Sequence, residues 1–212
     1  METRSKGILG KMLQGVADLT RYVLWSGGLD STLLLHDIAT SEESRNQTVN
    51  AVTIRLTNRE YPQQLQEYKA RKILRTKLPK NIKYYVINVD TELHGINWQM
   101  PYWLAFISPF MKNDDLLSMA YLSSDGKDFW QKRQSLIDTF WNFMGLNSLN
   151  AKIDFPFELK TKGYVIKELK KLKLLKYCWT CGEPKKGKPC GKCMKCISLK
   201  RWTAYPDSGV ET

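Results

Sequence analysis

Long hydrophobic runs are missing from this sequence of 212 residues. No apolar stretch approaches the roughly 20 residues that a membrane-spanning helix needs. Residues 1–15 also lack the continuous apolar core of a secretory signal peptide. These absences argue against a membrane-embedded class and lead us to expect a cytoplasmic protein. The sequence contains no internal repeat and no low-complexity tract, which argues against repeat and disordered architectures.

Two common phosphate-binding motifs are also absent. There is no G-x-x-x-x-G-K-[ST] string, which would place a lysine on terminal phosphates, and no G-x-G-x-x-G string for a dinucleotide. Instead, the string Ser-Gly-Gly-Leu-Asp-Ser-Thr occupies residues 26–32. It follows an apolar run at residues 22–25, typical of a short buried strand, and precedes a helical pattern at residues 33–38.

This strand–turn–helix junction has the chemistry of an anion-binding loop. Glycines let the backbone approach a ligand closely, and a helix N-terminus offers unpaired N–H groups with a partial positive charge. Asp30 could either cap the helix or lie near a magnesium ion. An ordinary loop with a good N-cap would contain similar residues. We predict a phosphate-binding site formed by Ser26, Gly27, Gly28, Leu29, Asp30, Ser31 and Thr32.

Strand-like and helix-like segments alternate along the chain. Strands are predicted at residues 22–25, 51–56, 83–89, 116–122 and 153–155. Helices are predicted at residues 30–40, 62–78, 128–144 and 162–175, with another beginning at Pro101. This alternation predicts an α/β fold with a doubly wound, mostly parallel five-stranded sheet. In such sheets a ligand binds at the carboxyl ends of the strands, where residues 26–31 fall.

We predict three parts of the chain. Residues 1–20 form an N-terminal extension with weak helical spacing, residues 21–160 form the α/β domain, and residues 161–212 form a basic helix with a zinc-binding region. An aromatic segment at residues 98–110 most simply packs in the core or in a homodimer interface. As an alternative, it forms a wall for a planar ligand.

Cysteine does not occur before Cys178, and all five cysteines precede residue 197. Without a secretory signal a disulfide framework is not expected, and metal ligation is the better interpretation. Cys178 is a neighbour that could replace one ligand, and an iron–sulfur cluster is the other metal option. The histidines, His36 and His94, are far from this cluster in sequence. The spacing predicts a zinc site with the ligands Cys181, Cys190, Cys193 and Cys196.

Positive charge is concentrated near the end of the chain. Residues 160–201 contain 14 basic and 2 acidic residues, a net +12 that equals the charge of the whole chain. Such an excess is compatible with a nucleic acid or another anionic partner. Local compensation is the simpler interpretation, because a zinc ion with four thiolates carries about −2 and lysines lie between the cysteines.

The loop at residues 26–32 resembles the pyrophosphate loop of the N-type ATP pyrophosphatase superfamily. Together with the string Cys-Gly-Lys-Cys-Met-Lys-Cys at residues 190–196, it makes the chain similar to the 7-cyano-7-deazaguanine synthase family, whose product is a precursor of queuosine. Residues 155–162 resemble that family's strand–Pro–loop–Thr-Lys segment. Residues 179–181 resemble its Trp-Ser/Thr-Cys string.

This resemblance implies an adenine nucleotide alpha hydrolase-like fold and an ATP-dependent carbon–nitrogen ligase. ATP would adenylate the carboxylate of 7-carboxy-7-deazaguanine or a related purine-like acid, and ammonia would displace AMP to give an amide. A second activation, at the amide oxygen, would lead to the nitrile. In this scheme residues 26–32 bind ATP with its magnesium, the zinc site is structural, and no catalytic residue is assigned.

Three segments depart from the family pattern. Residues 57–61 stand where the family has Tyr-Gly-Gln, and residues 101–104 stand where it has Pro-Gly-Arg-Asn. Residues 125–128 only echo its Tyr-Pro-Asp region. Because these regions help to form the family's substrate pocket, the resemblance leaves the substrate undefined. A tRNA-modifying enzyme with the same loop and a non-catalytic nucleotide-binding member are the alternatives.

Overall fold

The computed structural model describes residues 20–44, 47–56, 62–90, 100–125, 127–146 and 148–204. The predicted N-terminal helical spacing, His94 and the departing segment at residues 57–61 lie outside these ranges. In chain order the strands and α-helices are β1 (Arg21–Leu24), α1 (Leu29–Thr40), β2 (Val49–Leu56), α2 (Pro62–Leu74), β3 (Ile82–Val89), α3 (Met100–Ile107), β4 (Leu116–Ser118), α4 (Lys127–Leu146), β5 (Lys152–Asp154), α5 (Lys162–Lys171) and α6 (Met194–Ala204).

The strands of the described residues form one sheet in the order β3-β2-β1-β4-β5. Every neighbouring pair is parallel, so Val23 of β1 is in register with Ala51 of β2 on one side and with Ser118 of β4 on the other. The α/β prediction is confirmed, and the sheet is entirely parallel. Because the chain leaves β1 for β2 on one side and returns to β4 on the other, the strand order reverses beside β1. Ligands of parallel sheets bind at the carboxyl end of such a position.

Two hydrophobic clusters pack against the central strand. One contains Val23 together with the leucines of α1 and the apolar residues of α5. The other contains apolar residues of α3 and α4, and Tyr22 and Leu24 pack against it. Successive residues of a strand point to opposite faces, so the two clusters lie on opposite faces of β1. Together they fix β1, and therefore the loop that follows it, between two packed layers.

Three predicted elements end several residues earlier in the structure, and one helix was not predicted. Helix α5 was predicted to extend to residue 175 but ends at Lys171, because Lys173 adopts a left-handed backbone with a φ of +56°. The apolar run at residues 116–122 predicts one strand, yet β4 ends at Ser118. It ends there because its neighbour β5 has only three residues to pair with it. Helix α2 ends at Leu74 and is followed by turns. Helix α6 was not predicted, because its apolar residues do not recur with a helical period. No helix in the described ranges has the length and apolar character required to cross a membrane.

Candidate anion-binding loop and metal site

Trp25, the first residue after β1, anchors the loop formed by residues 26–31. Its backbone N–H donates a hydrogen bond to the carbonyl oxygen of Val52 at 2.8 Å, and its own carbonyl accepts one from the Thr53 hydroxyl at 2.6 Å. Its buried indole N–H donates to the Thr32 hydroxyl at 3.1 Å. The base of the loop is therefore fixed to β2 on one side and to α1 on the other.

Ser26, Gly28 and Ser31 form the upper part of the loop. The two serine hydroxyls lie 3.2 Å apart, and the backbone N–H of Gly28 donates to Ser26 Oγ at 3.2 Å. Gly28 is the N-cap of α1, and in the described part of the chain no side chain caps this helix. Asp30 lies in the first turn and does not serve as the cap. The first N–H groups of the helix therefore have no intrahelical acceptor and favour an anion.

Gly27 lies between the loop and helix α2. Its φ of +86° is a conformation that residues with a side chain rarely adopt. A Cβ atom at this position would lie 2.8 Å from Arg71 Cγ and 3.4 Å from the carbonyl oxygen of Glu67. Arg71 is only 5% exposed, and its Nη1 donates to the carbonyl oxygen of Ser26 at 2.7 Å. The absence of a side chain at Gly27 thus lets Arg71 close over the loop.

Replacing Gly27 by alanine is expected to lower the free energy of unfolding by at least about 1–2 kcal/mol, the usual cost of a left-handed backbone for a residue with a side chain. The contact with Arg71 adds to this cost. Urea unfolding measures the change. Gly28→Ala is the matched control, because Gly28 has a φ of −76° and its added Cβ would lie 3.2 Å from the nearest atom, Ser26 Oγ. Equal destabilisation by both substitutions would contradict this role of Gly27.

Asp30 forms an ion pair with Lys162, the first residue of α5. Lys162 Nζ lies 2.7 Å and 2.5 Å from the two carboxylate oxygens of Asp30. Thr161 fixes the start of α5 by accepting a hydrogen bond from the backbone N–H of Tyr164. The ion pair offsets the negative charge of Asp30, which would otherwise repel an anion bound at the N-terminus of α1.

A cavity of about 670 Å³ lies at the carboxyl ends of β1, β2 and β4. Trp103 of the aromatic segment lines it, whereas Leu104 and Ile107 are buried in the core. The aromatic segment therefore contributes both to core packing and to the cavity wall. The polar and charged residues that line the cavity are Ser26, Asp30, Ser31, Thr53, Arg55, Gln63, Gln64, Glu67, Arg71, Tyr121 and Lys195.

Two charged residues of α2 are buried in the cavity wall. Burial raises the pKa of Glu67, whose carboxylate accepts a hydrogen bond from Gln63 Nε2 at 2.6 Å. Burial lowers the pKa of Arg71, which lies 4.0 Å from Glu67. Lys195 of α6 adds a second cation to the same wall. This arrangement suits an anionic ligand, because the carboxylate of Glu67 can balance only one of the two cations, Arg71 and Lys195.

Four cysteines near the end of the chain could hold a metal ion. A tetrahedral zinc ion with Zn–S bonds of about 2.3 Å separates its sulfur ligands by about 3.8 Å. The Sγ atoms of Cys181 and Cys193 lie 4.0 Å apart. Two of the four side chains are buried and two are partly exposed. The sulfur atoms that lie within 4.8 Å of one another belong to the predicted set, Cys181, Cys190, Cys193 and Cys196.

Backbone amides point at these sulfur atoms. The N–H of Cys190 donates to Cys181 Sγ at 3.3 Å, and the N–H of Cys193 donates to Cys190 Sγ at 3.3 Å. Hydrogen bonds from the N–H groups of Cys196 and Gly182 lower the pKa of the Cys193 thiol to about 6. Such bonds favour the thiolate, which is the form that binds a metal.

Cys178 lies apart from this cluster. Its thiol contacts the carbonyl oxygen of Leu174 at 3.6 Å, and it packs against the core of α1 and α5. Burial raises the pKa of this thiol to about 12. Cys178 therefore has the properties of a structural thiol, and the ligand set that leaves it out is the one that the structure brings together.

Residues 178–204, which we call the cysteine lobe, contact the loop directly. The backbone N–H of Trp179 donates to the carbonyl oxygen of Gly27 at 3.1 Å. The indole N–H of Trp179 donates to the carbonyl oxygen of Cys181 at 2.9 Å. Gly182 and Lys195 line the cavity. Trp179 thus links a candidate metal ligand, through its side chain, to the candidate anion-binding loop, through its backbone.

The structure places the seven predicted loop residues in three different surroundings. Gly27 is not among the residues that line the cavity and packs against Arg71 of α2. Leu29 and Thr32 are buried beneath the loop, in or beside the core. Four others line the cavity, namely Ser26, Gly28, Asp30 and Ser31. Sequence reasoning missed the residues that meet the loop from elsewhere, which are Glu67, Arg71, Lys162 and Lys195. Lys162 and Lys195 lie in segments that the family resemblance had singled out, whereas Glu67 and Arg71 do not.

Comparisons with known proteins add no family to this description. No model of a known protein family matches the chain, and no curated protein matches it either. The similarity to the 7-cyano-7-deazaguanine synthase family therefore stays a prediction that rests on the motifs.

Proposed function

We propose that the protein is an ATP-dependent carbon–nitrogen ligase that adenylates the carboxylate of a purine-like acid. One observation carries the proposal: the loop at residues 26–31 and the cysteine lobe, which are far apart in sequence, border one cavity at the carboxyl ends of a parallel sheet. A doubly wound, adenine nucleotide alpha hydrolase-like fold would bind ATP at this position.

The proposed reaction has two steps. The carboxylate oxygen attacks the α-phosphorus of ATP, which forms an acyl adenylate and releases pyrophosphate. Ammonia then attacks the acyl carbon, AMP leaves, and a proton is lost to give the amide. The amide oxygen would then attack the α-phosphorus of a second ATP and release a second pyrophosphate, and loss of AMP and two protons from the nitrogen would give the nitrile.

The residues around the cavity have roles that suit this reaction. The N–H groups at the start of α1 and the hydroxyls of Ser26 and Ser31 would hold pyrophosphate, and stabilising this leaving group lowers the barrier electrostatically. Asp30 would hold magnesium, with Lys162 then free to contact a phosphate. Trp103 offers a flat apolar surface to a purine-like ring. Magnesium would supply charge neutralisation on the phosphates.

Zinc is the metal proposed for the four cysteines. Four thiolates fill the tetrahedral positions, so no position is left for substrate, and the ion would have a structural role. Its effect on the cavity would come through Trp179, Gly182 and Lys195, which the cysteine lobe places beside the loop.

The experiment that tests the proposal measures pyrophosphate and AMP. Zinc-loaded protein is incubated with ATP, magnesium, ammonium and 7-carboxy-7-deazaguanine or related purine-like acids. We expect acid-dependent release of pyrophosphate and equimolar AMP. The proposal would be refuted if none of these acids raised the release of pyrophosphate above the background measured without an acid.

Asp30→Asn is expected to reduce this turnover by at least about tenfold, because a charge that holds magnesium on the transferred phosphates contributes several kcal/mol. Asp37→Asn, on the same helix, is the matched control. Asp37 contacts His36 and does not line the cavity. If both variants lost activity equally, the role given to Asp30 would be wrong.

A further inference from the structure

The positive charge of the C-terminal region is almost entirely on the surface. Within residues 160–201, only Glu168 and Glu183 are acidic. We call the exposed basic residues of this region the basic surface. They are Lys167, Lys170, Lys171, Lys173, Lys176, Lys185, Lys186, Lys188, Lys192, Lys195, Lys200 and Arg201.

Local compensation accounts for little of this charge. A zinc ion with four thiolates carries about −2, which two neighbouring lysines such as Lys192 and Lys195 would balance. Lys171 pairs with Glu168 at 2.6 Å. In the described part of the chain, none of the basic side chains between Lys185 and Arg201 has a carboxylate within ion-pair distance. Most of the basic surface therefore repels itself in the free protein.

Like charges even converge at one point of this surface. Lys176 Nζ lies 5.0 Å from the centre of the Tyr177 ring, and Lys77 Nζ, from the turn after α2, lies 6.0 Å from the same ring. Two cations that share one aromatic ring repel each other. A bound polyanion would relieve this repulsion.

We propose that the basic surface binds the phosphodiester backbone of a nucleic acid. Cations spread over α5, the following turn, the cysteine lobe and α6 can follow a chain of phosphates, and each contact releases condensed counterions. Lys195 belongs both to this surface and to the cavity wall. A bound strand would therefore pass the mouth of the cavity. This inference does not depend on the proposed ligase activity.

An anionic membrane is a weaker match to the same surface. Helices that bind membranes need an unoccupied apolar face opposite their lysines. The apolar face of α5, which contains Val165, Ile166 and Leu169, is already buried against α1. In α6 the exposed Met194 and Ile197 lie one turn apart, but the same face continues with the exposed Lys200 and Arg201, so its apolar part is limited to two side chains. Binding to the phosphates of a nucleic acid, by contrast, requires exposed cations and no apolar face.

The test uses the full-length, zinc-loaded protein and fluorescently labelled oligonucleotides of about 20 nucleotides, with affinity measured by anisotropy between about 50 and 200 mM salt. Single-stranded RNA, single-stranded DNA and duplex DNA are compared, which identifies the source of the phosphodiester backbone. We expect binding whose logarithm falls linearly with the logarithm of salt concentration. Absence of salt-dependent binding to all three would overturn the proposal.

Two variants locate the site. In the first, Lys170, Lys173 and Lys176 are replaced by glutamine, and in the control Lys83, Lys112 and Lys152 of the sheet region are replaced in the same way. Loss of about three phosphate contacts should reduce the salt slope by about 2–3 and the affinity by roughly tenfold or more at about 100 mM salt. The control should keep both values.

Circular dichroism and zinc content verify that both variants are folded. Equal losses in the two variants would contradict the location of the interface. Vesicles of phosphatidylcholine with phosphatidylserine provide the remaining arm. If the protein bound these vesicles more tightly than any oligonucleotide, and the first variant lost this binding, the partner would be an anionic membrane. That result would overturn the proposal.

Discussion

Replacing Cys190 by serine is expected to release the metal and to unfold the cysteine lobe, whereas the same substitution at Cys178 leaves both intact. Cys181 and Cys196, two of the candidate ligands, are the only fully buried residues among residues 178–204. The lobe therefore has almost no hydrophobic core, and we expect a metal ion bound by the four cysteines to hold it together. In small zinc-binding domains the metal contributes roughly 10 kcal/mol or more to folding.

Metal analysis and thermal unfolding measure these effects. We expect about one zinc ion per chain in the unmodified protein and close to none in Cys190→Ser, with a separate unfolding transition of the lobe at lower temperature. Cys178→Ser is a matched control, because a serine hydroxyl can donate to the same Leu174 carbonyl that the thiol contacts. Zinc retained by Cys190→Ser, or lost from Cys178→Ser, would contradict the assigned ligand set.

Loss of the metal should also weaken ligand binding at the loop formed by residues 26–31. Trp179 donates one hydrogen bond to Gly27 and another to Cys181, so it joins the loop to a ligand. We therefore expect Cys190→Ser to bind ATP more weakly than the unmodified protein. Calorimetry at a temperature where the α/β region of the variant is still folded measures this change. Unchanged ATP affinity would show that the lobe and the loop act independently.

The parts of the fold that follow from short-range patterns could be predicted from the sequence. Strand β1, the loop at residues 26–31 and the start of α1 are adjacent in the chain, and their glycines, hydroxyls and apolar residues define them locally. The cysteines of the metal site are likewise close in sequence, and their spacing limits which sulfur atoms can share one ion.

The remainder of the site depends on contacts between distant segments. Arg71 lies on a helix whose charged residues look like an ordinary solvated face, yet it is buried because α2 packs across Gly27. Lys162 meets Asp30 only because α5 packs beside α1. Helix α6 was missed because it has no apolar stripe; its Cys196 belongs to the candidate metal site, and its Leu199 and Trp202 pack against the core. Such information is not present in local periodicity.

Replacing Arg71 by methionine is expected to weaken the binding of ATP and of pyrophosphate by about 10- to 100-fold. The guanidinium has five N–H donors, and the structure shows one of them bound to the carbonyl oxygen of Ser26. Arg71 also lines the cavity, 4.0 Å from the carboxylate of Glu67. A hydrogen bond to a charged group contributes about 1.5–3 kcal/mol, which corresponds to this range of affinity.

Arg75→Met is the control, because Arg75 lies one turn further along, is exposed, and stacks on Tyr84 at 4.7 Å. Calorimetry with ATP, pyrophosphate and adenosine distinguishes a phosphate contact from a change in the loop. If Arg71 contacts a phosphate, its loss should spare adenosine and reduce the affinity of both phosphate ligands. Arg71→Lys should be intermediate, since lysine keeps the charge but not the planar fork. An equal loss for adenosine would instead mean that Arg71 acts only by holding Ser26 in place.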